Sequence, residues 1–203
     1  MIVIIDYNMG NMGSIKNMLH RIGYDDVAIS SDRSMIEKAD KLILPGVGAF
    51  DQGMKNLRDL ELIEVIREQA LVHDKSILGI CLGMQLLGNN SEEGDLEGLG
   101  LIEFNSLKFI LPNEYKVPHM GWNYVQIKKK NALVRDMDEM NQRYYFVHSY
   151  HAVCTNKEDI LMTSEYGLEF VAAVSKNNVY GVQFHPEKSH KYGMKLLENF
   201  VGL

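Results

Sequence analysis

Cysteine is scarce in this sequence: only Cys81 and Cys154 occur among its 203 residues. Two cysteines cannot form a disulfide framework, and no Cys-x-x-Cys or His-x-x-x-His spacing suggests a metal site, so neither a metal nor a cofactor is expected. No apolar run approaches the roughly 18 residues that cross a membrane. The N-terminus also lacks the basic region and cleavage site of a secretory signal. A cytoplasmic protein is therefore predicted.

Basic residues are outnumbered by acidic ones, with 21 Lys and Arg against 27 Asp and Glu and a formal net charge of −6. Nucleic acids and anionic membranes call for a basic face, so neither partner is expected. The length of 203 residues, 46% of them hydrophobic, suits one well-buried core and is short for two. The chain is therefore predicted to form a single domain over residues 1–203.

Short apolar runs alternate with amphipathic segments along the first half of the sequence. The run Ile2–Ile5 is typical of a strand buried on both faces of a parallel sheet. Behind Ser14, a predicted N-cap, apolar residues recur at helical spacing. A strand–helix–strand pattern follows over residues 27–44, with a second predicted cap at Ser34. Strands that alternate with helices indicate an α/β fold.

The second half of the sequence has a different pattern, with short strand-like runs separated by turn residues. Such spacings fit antiparallel hairpins, and residues 176–178 are predicted to form a tight turn. The predicted strands span residues 108–111, 124–127, 144–147, 152–155, 160–163, 171–175 and 179–184. The predicted fold class is α/β, with a mostly parallel central sheet flanked by helices and additional antiparallel strands in the second half.

The segment from Ser76 to Leu87 contains the strongest chemical signal. An apolar strand runs into a helix-forming stretch, and Cys81 lies at the turn between them, with Gly79 and Gly83 two residues to either side. Gly-x-Cys-x-Gly is the thiol counterpart of the Gly-x-Ser-x-Gly nucleophile elbow, in which glycines allow a strained strand-to-helix turn. Cys81 is thus predicted to be a nucleophile.

The position of Cys81 at a helix N-terminus supports this interpretation. Free backbone N–H groups and the helix dipole there favour a thiolate, and the N–H of Leu82 points to where an oxyanion would form. Most free cysteines are instead small buried hydrophobic residues. That alternative gives no reason for the paired glycines, so the nucleophile interpretation is preferred.

A second loop is expected to point at the same place. Residues 45–50, Pro-Gly-Val-Gly-Ala-Phe, follow an apolar strand, at the end where open α/β sheets carry their sites. The two glycines permit a backbone whose N–H groups turn toward a bound group. Pro-Gly is by itself an ordinary turn, so this loop gains meaning only together with the cysteine segment.

Late in the sequence, a buried strand runs into His185, Pro186 and Glu187. A nucleophilic thiol needs a base of near-neutral pKa, and that base needs an acceptor that fixes its tautomer. His185 and Glu187 are of the right types in the right local order. A histidine at a strand end is more often structural, but together with a cysteine elbow a catalytic pair is the better interpretation.

These three segments together resemble the class I glutamine amidotransferases. Residues 79–85 are similar to the family's nucleophile motif, residues 45–48 to its oxyanion strand and residues 181–187 to its His-x-Glu motif. More narrowly, the chain resembles the glutaminase subunits of imidazole glycerol phosphate synthases, over residues 6–11, 116–123, 145–150 and 186–189. The resemblance extends from end to end of the chain and implies a flavodoxin-like fold.

The resemblance implies a role for each candidate site residue. Cys81 would attack the side-chain amide carbon of glutamine, His185 would protonate the departing ammonia, and Glu187 would orient His185. N–H groups of Leu82 and of the loop at Val47 and Gly48 would hold the oxyanion. The residues expected to bind the glutamine are Gln85, then Glu93 at its ammonium group, and Ser149 and Tyr150 near its α-carboxylate.

A protein partner is also implied. Ammonia released into water at neutral pH would be protonated, so such a glutaminase is expected to form a heterodimer with a (β/α)8-barrel cyclase subunit. That cyclase would use the ammonia to make imidazole glycerol phosphate and AICAR in histidine biosynthesis. The residues predicted for the docking surface are Asn11, Trp122, Asn123 and Lys188.

Two positions in the presumed docking loop depart from the family pattern. Asn8 stands where glycine is more common, which is tolerable because asparagine accepts left-handed backbone angles. Gly13 stands where an arginine is expected. The main alternative is therefore a paralogous glutaminase that supplies ammonia to a sugar-modifying amidotransferase. A non-catalytic scaffold subunit is disfavoured, because Cys81, His185 and Glu187 are all present. A cysteine peptidase of similar architecture is disfavoured by Gln85 and by the His-Pro-Glu context.

Overall fold

The computed structural model describes residues 1–139 and 141–203. Within these ranges, α-helices span Met12–Arg21 (α1), Arg33–Lys38 (α2), Phe50–Asp59 (α3), Leu62–Leu71 (α4), Leu82–Leu86 (α5) and His190–Val201 (α6). The strands there are Ile2–Ile5 (β1), Val27–Ser30 (β2), Lys41–Leu44 (β3), Ser76–Ile80 (β4), Asn90–Ser91 (β5), Phe104–Lys108 (β6), His119–Ile127 (β7), Gln142–His148 (β8), Tyr150–Cys154 (β9), Ile160–Glu165 (β10), Glu169–Lys176 (β11) and Val179–Val182 (β12). All of these strands belong to one sheet.

The parallel part of the sheet runs in the order β2-β1-β3-β4-β12. Although β12 comes late in the chain, it lies directly alongside β4, with Val182 opposite Ile80. The carboxyl ends of β4 and β12 therefore meet at the same edge. The residues that follow these two strands are placed side by side, where open α/β sheets carry their sites.

The antiparallel part of the sheet continues beyond β12. Strands β11, β10, β7 and β8 follow in that order, each antiparallel to its neighbour, while β9 and β6 branch from β11. The predicted tight turn joins β11 to β12, with Asn177 at a φ of 52°. The predicted fold class, a mostly parallel sheet flanked by helices with antiparallel strands in the second half, is confirmed.

Two apolar clusters bury the two faces of the sheet. Along β1, Ile2 and Ile4 pack into one cluster, and Val3 and Ile5 pack into the other. Helices α1 and α6 cover the first face, whereas α2, α3, α4 and α5 cover the second. This double burial explains why the central strand β1 is continuously apolar. Across the described ranges, no helix combines the length and apolarity needed to cross a membrane.

The two predicted helix caps are wrong by two or three residues. The N-cap of α1 is Asn11, whose side chain accepts a hydrogen bond from the Ser14 N–H at 3.3 Å. Likewise, Asp32 caps α2 and accepts from the Ser34 N–H at 2.7 Å. In both cases the chain enters the helix before the serine, whose N–H is one of the free donors of the first turn.

Two predicted strands lie elsewhere or are longer. The strand expected at residues 108–111 is instead β6, at Phe104–Lys108. Polar residues in this strand, such as the buried Ser106, weaken its apolar pattern in the sequence. Strand β7 begins at His119, well before the predicted residue 124. Its outward-facing side chains, including Trp122, are large and exposed, so this part of the strand lacks the polar alternation that marks a half-buried strand.

Candidate active site

Cys81 lies at the sharp turn where β4 ends and α5 begins, with a φ of 54° and a ψ of −111°. Non-glycine residues rarely adopt a positive φ, and such strain concentrates at functional positions. The flanking glycines are required by packing. A Cβ on Gly79 would lie 2.7 Å from the carbonyl oxygen of Gly83, and one on Gly83 would lie 1.8 Å from that of Leu44. The turn therefore has the geometry predicted for a nucleophile elbow.

His185 and Glu187 meet just after β12, as their spacing predicted. The Nδ1 atom of His185 lies 2.7 Å from Oε1 of Glu187, and each side chain is only 2% exposed. A short 3₁₀ turn, Pro186–Lys188, folds the carboxylate back onto the ring. Since Nδ1 is engaged, Nε2 is the nitrogen left for proton transfer, and it has no hydrogen-bond partner among the described residues.

The electrostatic environment of His185 favours its protonated form. Burial alone would lower the pKa of the imidazole, but the neighbouring sulfur of Cys81 and the Glu187 carboxylate outweigh that loss of solvation and raise the pKa to about 9. The ring therefore carries a proton at neutral pH. A protonated imidazole beside the sulfur is the general acid that a departing amine requires.

Gln85 is held by a second buried amide. Its Nε2 donates to Oε1 of Gln183 at 3.0 Å, and Nε2 of Gln183 donates to the Cys81 sulfur at 3.8 Å. Gln183 is completely buried, and this chain of donors and acceptors fixes the orientation of both amides. The side chain of Gln85 therefore lies one turn along α5 from the sulfur, as predicted, in a defined orientation.

The loop at residues 45–49 is anchored by Tyr7. The buried hydroxyl of Tyr7 donates to the carbonyl oxygen of Pro45 at 2.5 Å. Because burial raises the pKa of this phenol, the hydroxyl stays protonated and remains a donor. Farther along the exposed part of the loop, Gly48 has a φ of 117°, a backbone conformation that favours glycine. The loop is therefore fixed by a hydrogen bond at Pro45, and at Gly48 it adopts a backbone conformation that favours glycine.

Glu93 joins this loop to the opposite side of the site. Its Oε2 accepts from the Phe50 N–H at 2.9 Å, at the first residue of α3, where free N–H groups favour a carboxylate. A negatively charged group held at this point is suited to an ammonium ion.

These elements enclose an open cavity of about 300 Å³, which is a typical size for a small-molecule site. The structure brings the predicted catalytic, oxyanion and substrate residues together here. Those that line the cavity are Val47, Gly48, Cys81, Leu82, Gln85, Glu93, Ser149, Tyr150 and His185. Glu187 stands behind His185, to which it is hydrogen-bonded.

The four residues predicted for the docking surface do not line this cavity. Asn11 and Lys188 are exposed, and Trp122 is 43% exposed. Asn123 is half-buried, and its side chain donates to the carbonyl oxygen of Glu165 at 2.8 Å. Their role in docking stays a prediction.

Sequence reasoning missed three residues of the site. Tyr7 and Gln183 lie within two of the motifs described above, but the atoms they contact belong to residues far away in the sequence. His148 lines the cavity at the end of β8. A strand-end histidine followed by Ser149 and Tyr150 is a signal that could have identified it.

Comparison with known proteins identifies the family. The family model for class I glutamine amidotransferases matches residues 3–202. The chain belongs to this family. A family of glutamine-dependent enzymes accounts for a cysteine elbow, a buried histidine–glutamate pair and a carboxylate at the cavity rim.

Curated relatives of this amidotransferase are similar over their whole lengths. The imidazole glycerol phosphate synthase subunit HisH 2 of Methanococcus maripaludis is 59% identical over 201 residues, which cover 99% of this chain and 98% of the relative. The subunit of the same name from Pseudomonas aeruginosa is 51% identical over 203 residues, the full length of both chains.

Solved structures share the fold of this amidotransferase at low identity. A crystal structure of a glutamine amidotransferase superposes with a TM-score of 0.76 at 16% identity, covering 98% of this chain and 97% of that one. The glutaminase domain of Trypanosoma brucei CTPS with bound acivicin has a TM-score of 0.64 at 16% identity, covering 99% and 93%. These likenesses support the fold alone.

Proposed function

We propose that this amidotransferase is the glutaminase subunit of an imidazole glycerol phosphate synthase, hydrolysing glutamine to glutamate and ammonia for histidine biosynthesis. The observation that carries the proposal is the buried His185–Glu187 pair, 2.7 Å apart, in one cavity with the strained Cys81. The identity of 59% to a full-length subunit of that synthase supports the choice of pathway. A single domain and a cytoplasmic location stay predictions.

In the first half of the reaction, the Cys81 sulfur bonds to the side-chain amide carbon of glutamine. The thiol proton is held on Nε2 of His185, and the carbonyl oxygen becomes an oxyanion facing the N–H groups of Leu82 and of the Val47–Gly48 loop. The carbon–nitrogen bond then breaks as His185 gives its proton to the departing nitrogen. Ammonia leaves and a thioester on Cys81 remains.

In the second half, water attacks the thioester carbon while Nε2 of His185 accepts its proton. A second oxyanion forms at the same place, and its collapse breaks the carbon–sulfur bond. Glutamate is released, and the freed sulfur is again a thiolate beside the protonated His185. Glu187 accepts from Nδ1 throughout, which keeps Nε2 directed at the reacting atoms.

Replacing Glu187 by glutamine is expected to lower kcat for glutamine hydrolysis by about 10²- to 10⁴-fold. An amide at this position no longer stabilises the imidazolium, so the pKa of His185, now about 9, should fall. Steady-state kinetics and a pH titration of the His185 ring signal by NMR measure the two effects. The exposed Glu158 offers a matched control, since Glu158→Gln should change neither. An unchanged histidine pKa in Glu187→Gln would contradict the proposed role.

We further propose that the partner is a (β/α)8-barrel cyclase subunit, bound as a heterodimer. Gly48 lies in the loop predicted to hold the oxyanion. Its φ of 117° allows the adjoining peptide to change orientation at low energetic cost, so binding of the partner can turn an N–H group toward the oxyanion. We therefore expect little glutaminase activity from the isolated chain and a rise of at least about tenfold in the complex, within the usual range of coupling between two sites.

The experiment measures glutamate release by the pure chain, alone and then with a barrel cyclase and its nucleotide ligand from the same source. Stimulation supports both the reaction and the partner. Equal turnover with and without the cyclase, while Cys81 still reacts with a glutamine-like alkylating analogue, would instead indicate a glutaminase that serves another enzyme. The sugar-modifying amidotransferases are the class to assay next in that case.

A further inference from the structure

Two buried histidines face each other on neighbouring strands beside the cavity. His119 on β7 and His148 on β8 are opposite one another in the antiparallel register, and they are 3% and 5% exposed. Nδ1 of His119 lies 3.0 Å from Nε2 of His148. The proposed reaction uses neither ring, so the pair requires another explanation.

The two rings are the middle of a longer chain of hydrogen bonds. At the inner end, Nδ1 of His148 lies 2.7 Å from the carbonyl oxygen of Tyr150. At the outer end, Nδ2 of Asn123 lies 3.4 Å from Nε2 of His119. The chain therefore joins the outer strand β7 to the wall of the cavity, which Tyr150 lines.

The hydrogen bonds of this chain run in one direction. A carbonyl oxygen only accepts, so Nδ1 of His148 carries the hydrogen. Burial lowers the pKa of His148 to about 3 and that of His119 to about 4, and each neutral ring has one N–H. Nε2 of His148 must then accept from Nδ1 of His119, whose own Nε2 accepts from the Asn123 amide. The donor and the acceptor of every hydrogen bond in this chain are thus assigned.

The inner end of the chain holds the corner between β8 and β9. This corner consists of Ser149 and Tyr150, both of which line the cavity. Its other supports are the Phe109 N–H, which donates to the Ser149 carbonyl at 3.0 Å, and Nε2 of Gln85, at 3.5 Å from the Tyr150 carbonyl. Strand β6 also pairs with the corner, with Lys108 opposite Tyr150. Among the three contacts given above, the bond from His148 is the shortest.

We infer that His119 and His148 are positioning residues, which hold the Ser149–Tyr150 corner in place to bind the α-amino acid end of glutamine. The inference rests on the proposed function. Ser149 and Tyr150 are assigned to the α-carboxylate of glutamine and not to its reacting amide, so displacement of the corner should weaken the binding of substrate and transition state alike. The loss should therefore fall on half-saturation concentrations and not on the maximal rate.

The test uses covalent labelling of Cys81 in the chain alone, with a diazoketone analogue of glutamine that keeps the α-amino acid end. In His119→Phe the ring and its stacking on Tyr166, 4.1 Å between centroids, are kept but the hydrogen bonds are lost. The half-saturation concentration of the analogue should rise about tenfold, as expected when a buried acceptor loses its donor. The maximal rate of labelling should stay within about twofold.

Two comparisons separate a positioning role from a general structural one. His119→Asn places an amide donor near the position of Nδ1 and should restore most of the affinity. His151 stacks on Phe109 at 4.7 Å in the same aromatic cluster, outside the hydrogen-bonded chain, so His151→Phe should label as the wild type does. Iodoacetamide, which lacks the amino acid end, should label all of these variants at equal rates.

The outcomes distinguish this inference from the proposed function. Labelling of the wild type that does not saturate with the analogue would contradict the proposed function itself. Saturable labelling of the wild type, with the same half-saturation concentration in His119→Phe as in His151→Phe, would overturn the inference. Should His119→Phe fail to fold, the half-buried Asn123 gives a milder variant. Asn123→Leu removes the outermost donor and should raise the half-saturation concentration, and an unchanged value would overturn the inference equally.

Discussion

Replacing Cys81 by alanine is expected to abolish glutamine hydrolysis, with kcat falling by on the order of 10⁴-fold or more. No other described side chain in the cavity can form the thioester. Folding should be unaffected, because the strained backbone at this position, with a φ of 54°, is imposed by the surrounding turn and accepts alanine as it accepts cysteine. Glutamate release and a thermal melt measure the two quantities.

The second cysteine provides the matched control for this substitution. Cys154 is partly exposed, and burial raises the pKa of its thiol to about 12, so it stays protonated and unreactive. Cys154→Ala should leave glutamine hydrolysis unchanged. In complex with the cyclase, Cys81→Ala should still make product from added ammonium salt. Continued delivery of ammonia from glutamine by Cys81→Ala would favour a scaffold in place of an enzyme.

Replacing Gly83 by alanine is expected to destabilise the protein by more than about 3 kcal/mol. The added methyl group would stand 1.8 Å from the carbonyl oxygen of Leu44 and 2.8 Å from its carbon. Both are backbone atoms of the neighbouring strand and cannot turn aside as a side chain would. Urea unfolding should show a lower midpoint with an unchanged slope, or the variant should be recovered only as insoluble protein.

Gly13 provides the matched control, because a side chain at this position meets no steric obstacle. It lies exposed in the first turn of α1, and nothing stands within 4 Å of the position a Cβ would take. Gly13→Ala should therefore leave the free energy of unfolding unchanged or increase it by up to about 1 kcal/mol, as helix propensity predicts. Equal stability of Gly83→Ala and Gly13→Ala would show that α5 can move away from β3.

Local patterns predicted the catalytic residues and the apolar strands that precede them. Because residues 179–184 were placed among antiparallel hairpins, the sequence did not predict the parallel pairing of β12 with β4, which brings Cys81 and His185 to one edge of the sheet. Glu187 is within reach of His185 because only one residue separates them. The alternation of strands and helices predicted the parallel half of the sheet, in which the central strand β1 is buried on both faces.

The parts that sequence did not predict depend on contacts between distant residues. The hydroxyl of Tyr7 donates a hydrogen bond to the Pro45 carbonyl, and the rings of His119 and His148 are hydrogen-bonded to each other. Both contacts form only because separate strands pair in one register. No local rule assigns those partners. The helix caps failed for a different reason, because asparagine, aspartate and serine are nearly equivalent caps and the entry angle of the chain decides among them.

The place of β12 in the sheet has a consequence for the order of events in biosynthesis. This strand inserts between β4 and β11, although it follows both of them in the chain. While the chain emerges from the ribosome, the thiol-bearing strand is therefore made long before its neighbour, and its edge stays unpaired. The same late strand delivers the histidine and glutamate. An unfinished polypeptide thus carries a nucleophile without its base, and insertion of β12 completes the sheet and the catalytic triad in a single event.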